Sequence, residues 1–239
     1  MIITYRLLGR NGRLGNQLWQ IASTIGIAAR RDAVAAFPYW RYRDYFSVPG
    51  EHFPDLAGVT GEDLGSDWLQ EVRHLDGVEE RIRRFFAPSA QTWERVARRH
   101  RNLLDLPVKT ALHVRRGDYV ELADRFAVLD RSYYDAATSM TDPPYVVFSD
   151  DIPWCQDRFR GSDYIFVRHN RDYEDLFLMA SCDAVITANS TFSWWGAWLS
   201  QGRRIFPRRW FMPGHIDHPV LGRVVESGMF PPNAEVIDS

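Results

Sequence analysis

From residue 110 onward, short apolar runs alternate with helical stretches, and this alternation limits the possible folds more than any other feature. The apolar runs occupy residues 110–114, 145–149, 164–167, 184–187 and 204–206. Runs of this length separated by helices are typical of βαβ units, whose strands pair in parallel. The sequence therefore predicts a mostly parallel α/β sheet here.

The first hundred residues are less regular. A strand is predicted over 2–8, a glycine-containing loop over 9–16 and a helix over 17–31, followed by an aromatic-rich loop over 37–53 and helices over 78–86 and 89–101. We expect two α/β lobes with a ligand cleft between them: an N-terminal lobe of residues 1–106 and a C-terminal lobe of residues 107–239.

Composition excludes several classes of protein. The 29 basic and 31 acidic residues are interspersed, and the formal net charge is −2, so nucleic acid is not an expected partner. The two cysteines, Cys155 and Cys182, have no metal-binding spacing, which predicts buried thiols in a reducing compartment. No signal sequence or membrane span is predicted. We expect a cytoplasmic protein, with peripheral membrane association left open.

Ligands of parallel α/β sheets bind beyond the carboxyl ends of the strands, so residues after each predicted strand are candidate site residues. The motif HVRRGDY at 113–119 follows one strand. Side chains alternate along a strand, so His113 and Arg115 are predicted on one face and Arg116 on the other. Arginine binds phosphate bidentately. The alternative is an internal ion pair, in which Asp118 compensates one or both arginines, with Arg116 the favoured partner.

The segment ANSTFSWWGAWL at 188–199 follows another strand. Asn189 and Ser190 are predicted to form a turn, and a helix is predicted from Thr191. A helix start with nearby hydroxyls suits an anion such as a pyrophosphate. The tryptophans of this helix are expected to pack in the core.

Two further segments carry weaker signals. In FSDD at 148–151, Asp150 and Asp151 are candidates for helix capping or contact with a ribose, and below these for metal binding. In GRNGRLGNQ at 9–17, the glycines allow close approach of a ligand to the backbone. With Asn16 at a helix start, this segment is a candidate sugar-facing loop.

Taken together and in this order, these motifs resemble the α-1,2-fucosyltransferases of glycosyltransferase family 11. The resemblance runs through GRLGNQLWQ, HVRRGDY, LDRSYYDA, FSDD, DLFLMASCDAVITANSTFSWWGAWL and FPRRWF. It implies a GT-B-like fold, an inverting reaction, GDP-fucose as donor, a glycan acceptor with the 2-OH of galactose as the expected target, and no cofactor or metal.

The resemblance also implies residue roles. Arg115 would bind the donor pyrophosphate, with Arg116 and Asp118 holding the loop, and Asp175 would accept hydrogen bonds from guanine. Asn16 would face the fucose or the leaving phosphate. The other residues expected to bind the donor are His113, Asp150, Asn189, Ser190, Thr191 and Phe192.

For the general base that the transfer needs, the sequence offers two acids. Glu121 and Asp124 closely follow the arginine motif and are candidates, although both suit exposed loop positions. The N-terminal lobe, on which acceptor recognition is expected, is short for the family. Two other functions stay open: a metal-dependent GT-A transferase that uses Asp150 and Asp151, and a non-catalytic carbohydrate- or nucleotide-binding module that stacks sugars on the 37–53 segment.

Overall fold

The computed structural model describes residues 1–65, 67–216 and 228–238, which form two compact α/β units. The first consists of residues 1–98 with 228–229, and the second of residues 99–216 with 230–238. The division falls between Arg98 and Arg99 rather than between 106 and 107.

The first unit is built on a three-stranded parallel sheet. Its central strand, β1 (Ile2–Thr4), lies between β2 (Val34–Ala36) and β3 (Glu62–Asp63). Helix α1 (Leu14–Arg30) follows β1 and buries apolar side chains at helical spacing, including Leu18, Ile21 and Ile25. The other helices here are α2 (Glu79–Phe85) and α3 (Ala90–Arg99), whose last residue belongs to the second unit.

The second unit contains a six-stranded parallel sheet in the order β6-β5-β4-β7-β8-β9. These strands are β4 (Thr110–Val114), β5 (Tyr145–Ser149), β6 (Tyr164–Phe166), β7 (Ala184–Ile186), β8 (Arg203–Pro207) and β9 (Ala234–Ile237). Every residue of β4 is buried, as expected of a parallel strand covered on both faces.

Helices connect these strands. They are α4 (Arg101–Leu104), α5 (Gly117–Glu121), α6 (Arg131–Thr138), α7 (Ile152–Arg158), α8 (Asp172–Ala180), α9 (Thr191–Leu199) and α10 (Pro213–Ile216). The core joins strand residues such as Leu112, Val147 and Ile186 to α6, which contributes Tyr133 and Tyr134.

The α/β class with parallel sheets in two units is confirmed, whereas the cleft between lobes stays a prediction. Several element bounds were wrong. The strand predicted over 2–8 ends at Thr4, because the chain then turns, with Leu8 N donating to Tyr5 O at 3.2 Å. Helix α1 begins three residues earlier than predicted. Strands β2, β3 and β9 were not predicted.

Candidate functional site

The order of the second sheet places a topological switch point between β4 and β7. From β4 the chain proceeds outward to β5 and β6, and it then returns to the other side of β4 for β7 and β8. The connections leaving the carboxyl ends of β4 and β7 therefore diverge, and a ligand-binding crevice is typical of such a position. The two motifs with the strongest sequence signals, around Arg115 and Ser190, directly follow these two strands.

Arg115 lies one residue beyond the end of β4. Its guanidinium donates to Asp150 at 2.5 Å and to Asp118, and its carbon lies 5.0 Å from the ring centroid of Tyr119. The register explains the contact with Asp150, because Val114 pairs with Ser149 and the residues that follow leave the sheet side by side. Arg115 is thus fixed by two carboxylates and a ring.

Arg116 points in a different direction, as the alternation predicted. Its Nε lies 3.3 Å from Asp151 Oδ2, and its guanidinium lies 4.2 Å from the ring centroid of Trp154. Of the pairings left open for Asp118, the structure shows the one with Arg115, and Asp118 lies in the first turn of α5.

The two adjacent aspartates have separate roles. Asp151 caps α7 by accepting from Trp154 N at 3.1 Å, as the capping interpretation predicted. Asp150 accepts from the Arg115 side chain and, at 2.9 Å, from Arg116 N. Among the described residues, no group of three or more His, Cys, Asp or Glu side chains is arranged to hold a metal ion.

His113 is buried at the end of β4, with its ring centroid 5.7 Å from that of Phe192 in the first turn of α9. Burial, with a smaller effect of Arg115, lowers the pKa of His113 to about 3. The imidazole is therefore neutral at physiological pH and adds no positive charge to the site. Its contact with Phe192 joins β4 to α9 across the switch point.

Tyr119 makes a second connection across the switch point, which the sequence did not reveal. Its hydroxyl donates to Asn189 O at 3.2 Å, and burial raises its pKa to about 12. The Asn189 side chain donates to Ala127 O at 2.8 Å and to Trp210 O at 2.9 Å, and it is buried. Asn189 therefore positions loops through its amide nitrogen, and its expected role in donor binding stays a prediction.

Helix α9 begins at Thr191, as predicted. Ser190 is its N-cap, and its hydroxyl accepts from Phe192 N at 3.3 Å. Thr191 and Phe192 are half-buried, whereas Trp194, Trp195 and Trp198 are buried in the core as expected. The positive end of this helix dipole therefore lies at the carboxyl edge of the sheet, beside the strand that leads to Arg115.

Asp175 lies in the first turn of α8, which starts at the same edge after β6. Its Oδ1 accepts from Asn170 Nδ2 at 2.8 Å, and burial raises the pKa of the carboxyl to about 7. No sequence motif indicated Asn170, because this residue lies in an irregular loop and reaches Asp175 only in the folded structure. Asp172 is the first residue of this helix, and Glu174 accepts from Arg171 N at 2.8 Å.

Two predicted residues lie outside these clusters. Asn16 belongs to the first unit, where its Oδ1 accepts from Gln70 Nε2 at 3.2 Å and its side chain packs against Gly12. Glu121 is the exposed last residue of α5, five residues after Arg116. The cysteines are buried and unpaired, as predicted. Within the described ranges, none of the helices is long and apolar enough to cross a membrane.

Comparison with known proteins finds several glycosyltransferases that are similar to this chain. The chain is 39% identical over 117 residues to the O-antigen biosynthesis glycosyltransferase WbnK of Escherichia coli, covering 43% of this chain and 39% of that protein. It is 31% identical over 158 residues to the alpha-1,2-colitosyltransferase of Escherichia coli, covering 59% of this chain and 54% of that protein. The chain thus spans about half or less of these two relatives.

A more distant relative extends over more of the chain. The galactoside alpha-(1,2)-fucosyltransferase 2 of Bos taurus is 26% identical over 253 aligned positions, covering 88% of this chain and 72% of that protein. Among solved structures, the NodZ alpha-1,6-fucosyltransferase co-crystallised with GDP matches with a TM-score of 0.56 at 14% identity, covering 83% of this chain and 92% of that one. That structural match concerns the fold.

The model of glycosyl transferase family 11 matches residues 36–206. The match includes the arginine motif, Asp150, Asp175 and the start of α9, which are the segments gathered at the carboxyl edge of the second sheet. It also covers more than half of the chain. The chain belongs to glycosyl transferase family 11.

Proposed function

We propose that this protein is an inverting glycosyltransferase that transfers L-fucose from GDP-β-L-fucose to a glycan hydroxyl. The proposal rests first on the switch point of the second sheet, where Arg115 and the capped start of α9 lie on the two sides of one crevice. A diphosphate needs bidentate donors and a helix dipole, and both are present at this edge.

Arg115 is the proposed ligand of the donor pyrophosphate. Asp118 and Asp150 each accept from one of its terminal nitrogens, so the guanidinium is already oriented before the donor binds. A phosphate oxygen would bind the remaining N–H donors or replace one carboxylate. Asp118 positions this group, Arg116 holds the loop through Asp151 and Trp154, and Ser190 and Thr191 contact phosphate oxygens at the helix start.

Asp175 is the proposed guanine ligand. When ionised, its carboxylate accepts hydrogen bonds from two neighbouring N–H groups, which guanine presents on N1 and N2 and adenine does not present in that arrangement. Asn170 occupies one carboxylate oxygen and thereby sets the orientation of the group. His113, Asp150 and Phe192 complete the proposed donor site.

The transfer step needs the leaving GDP to be stabilised and the acceptor hydroxyl to lose a proton. Arg115 and the dipole of α9 would offset the charge that develops on the diphosphate as the sugar–oxygen bond breaks. Glu121 is the proposed base, and Asn16 the proposed contact of the fucose or the leaving phosphate. A Glu121→Gln variant should lose kcat in this case, with Asp124→Asn as the matched control.

The proposed acceptor is a glycan ending in galactose, modified at its 2-OH to give an α-1,2 linkage. The support is the naming of relatives as galactoside alpha-(1,2)-fucosyltransferases and as an alpha-1,2-colitosyltransferase. We further propose a metal-independent reaction in the cytoplasm. The two unpaired cysteines suit a reducing compartment, and full turnover in EDTA would support independence from metal.

The neighbouring arginines offer a matched test of the donor site. Arg115→Ala should weaken GDP binding roughly 10- to 100-fold, the loss expected for a charge-assisted hydrogen bond of about 1.5–3 kcal/mol. Arg116→Ala removes the contacts with Asp151 and Trp154 and should mainly lower the melting temperature. Calorimetric titration measures the Kd of GDP for both variants, and thermal denaturation measures their melting temperatures. An unchanged Kd in a folded Arg115→Ala protein would contradict the proposed role.

A further inference from the structure

The first unit carries a surface groove that the donor site does not use. Its volume is about 510 Å³, and it is lined by Arg6, Arg43 and residues 38–39 and 53–57. The lining combines the rings of Tyr39 and Phe53 with the charged side chains of Arg6, Arg43 and Asp55. An open groove of this size with aromatic walls and a few polar groups is suited to a small organic ligand.

The aromatic residues of this segment are divided between the interior and the groove. Phe37, Trp40 and Phe46 are almost fully buried, and the rings of Trp40 and Phe46 stack with centroids 5.2 Å apart. Tyr39, next to Trp40, is instead 73% exposed. The Tyr39 ring is therefore open to a ligand, next to a segment whose other rings pack in the interior. The face of a pyranose that carries its C–H groups packs well on such a ring.

The polar groups of the groove supply both donors and acceptors. The Arg43 side chain is 41% exposed, and its guanidinium carbon lies 6.0 Å from the ring centroid of Phe53. Asp55 is held in a turn by accepting from Ala57 N at 2.9 Å, and Arg6 is anchored by donating to Val59 O at 3.0 Å. A sugar hydroxyl is both a donor and an acceptor, so a guanidinium and a carboxylate fixed at one groove can bind neighbouring hydroxyls.

A buried glutamine connects the aromatic-rich segment of the groove to the glycine-containing loop of residues 9–16. Gln17 accepts from Trp40 Nε1 at 2.8 Å and donates to Gly12 O at 2.8 Å. Gly12 in turn packs against Asn16, the residue proposed to face the reacting end of the donor. A sugar bound on Tyr39 would therefore be held by the same framework that orients the loop.

We infer that this groove binds a hexopyranose of the acceptor glycan, stacked on Tyr39 with its hydroxyls on Arg43 and Asp55. This inference rests on the proposed function for the identity of the ligand. It assigns acceptor recognition to specific residues, and it gives the aromatic-rich segment a second role besides forming the core of the first unit.

The test uses lactose and N-acetyllactosamine as probes of the full-length protein. Saturation-transfer NMR and calorimetry without nucleotide should detect binding to the wild type. Tyr39→Ala and Arg43→Ala should each weaken it at least tenfold. Trp93→Ala, which removes another exposed ring of the first unit, and Arg84→Ala, which removes an exposed arginine on α2, should leave it within twofold.

Two results would overturn the inference: failure of both disaccharides to bind the wild type, or equal binding by Tyr39→Ala and the Trp93→Ala control. GDP titration of the same samples separates this inference from the proposed function. Loss of glycan binding in Tyr39→Ala and Arg43→Ala, with GDP binding retained in both variants, supports the groove. If the wild type binds disaccharide but not GDP, the groove is supported and the proposed donor site fails.

Discussion

Arg115 and Arg116 are neighbours in the chain, yet each is fixed by a different set of groups. Arg115 contacts Asp118 and Asp150, whereas Arg116 contacts Asp151 and the Trp154 ring. Side-chain alternation separates them, because consecutive side chains leave a strand on opposite faces. An arginine pair at a strand end can thus supply one ligand-binding group and one structural group.

Asp175 makes the proposed nucleotide site sensitive to pH. Its pKa is about 7 in the protein, so the carboxyl is largely protonated below that pH and no longer accepts two hydrogen bonds from guanine. GDP affinity should therefore fall as the pH decreases, approaching roughly tenfold per unit below about pH 6. Calorimetry between about pH 5.5 and pH 8.5 measures this dependence.

Variants of two acids on the same helix locate the source of the pH effect. Asp175→Asn should bind GDP weakly at every pH and lose most of the dependence. Asp172→Asn, which keeps a side-chain acceptor for the first turn of α8, should retain the wild-type profile. A pH profile that survives in Asp175→Asn would assign the titration to another group.

At the scale of elements, Gly117 sets how closely the start of α5 approaches the end of β5. A Cβ built on Gly117 would overlap Asp150 Oδ2. Gly117→Ala should therefore displace Asp150, break its contact with Arg115 and weaken GDP binding at least tenfold. Gly50→Ala, at a position with open space around it, is the matched control. Equal GDP affinities in the two variants would contradict this role.

The turn before α9 offers a comparison of two neighbouring polar side chains. Ser190→Ala removes a helix cap and should cost about 1 kcal/mol of unfolding free energy. Asn189→Ala leaves two carbonyls, those of Ala127 and Trp210, without their donor and should cost more, on the order of 2–4 kcal/mol. Urea denaturation compares them, and the reverse ranking would contradict the positioning role of Asn189.

The sequence predicted the second sheet more accurately than the first for a physical reason. Strands β4 and β5 were predicted with correct bounds, because central parallel strands are continuous apolar runs. Strands β2 and β3 are only three and two residues long, and β3 is exposed, so neither produces a run. The sequence left the arginine partner of Asp118 open, because the pairing depends on where α5 turns after the strand, which no local pattern specifies.

At the scale of the whole molecule, the proposed activity divides between the two units. The second unit holds the residues proposed to bind GDP, and the first holds Asn16 and the Tyr39 groove. The motifs on strand ends could be recognised from the sequence, since they follow apolar runs. The groove could not be recognised from the sequence, because Arg6 and Arg43 line the same surface only after the first unit has folded.

Donor specificity tests the central claim most directly. The full-length protein is incubated with lactose and, separately, GDP-fucose, GDP-mannose, a UDP-sugar or a CMP-sugar, while nucleotide release is measured and the disaccharide product is analysed by NMR. The account predicts turnover with GDP-fucose and a new α-linkage at the galactose 2-OH. Turnover confined to a UDP-sugar would contradict it.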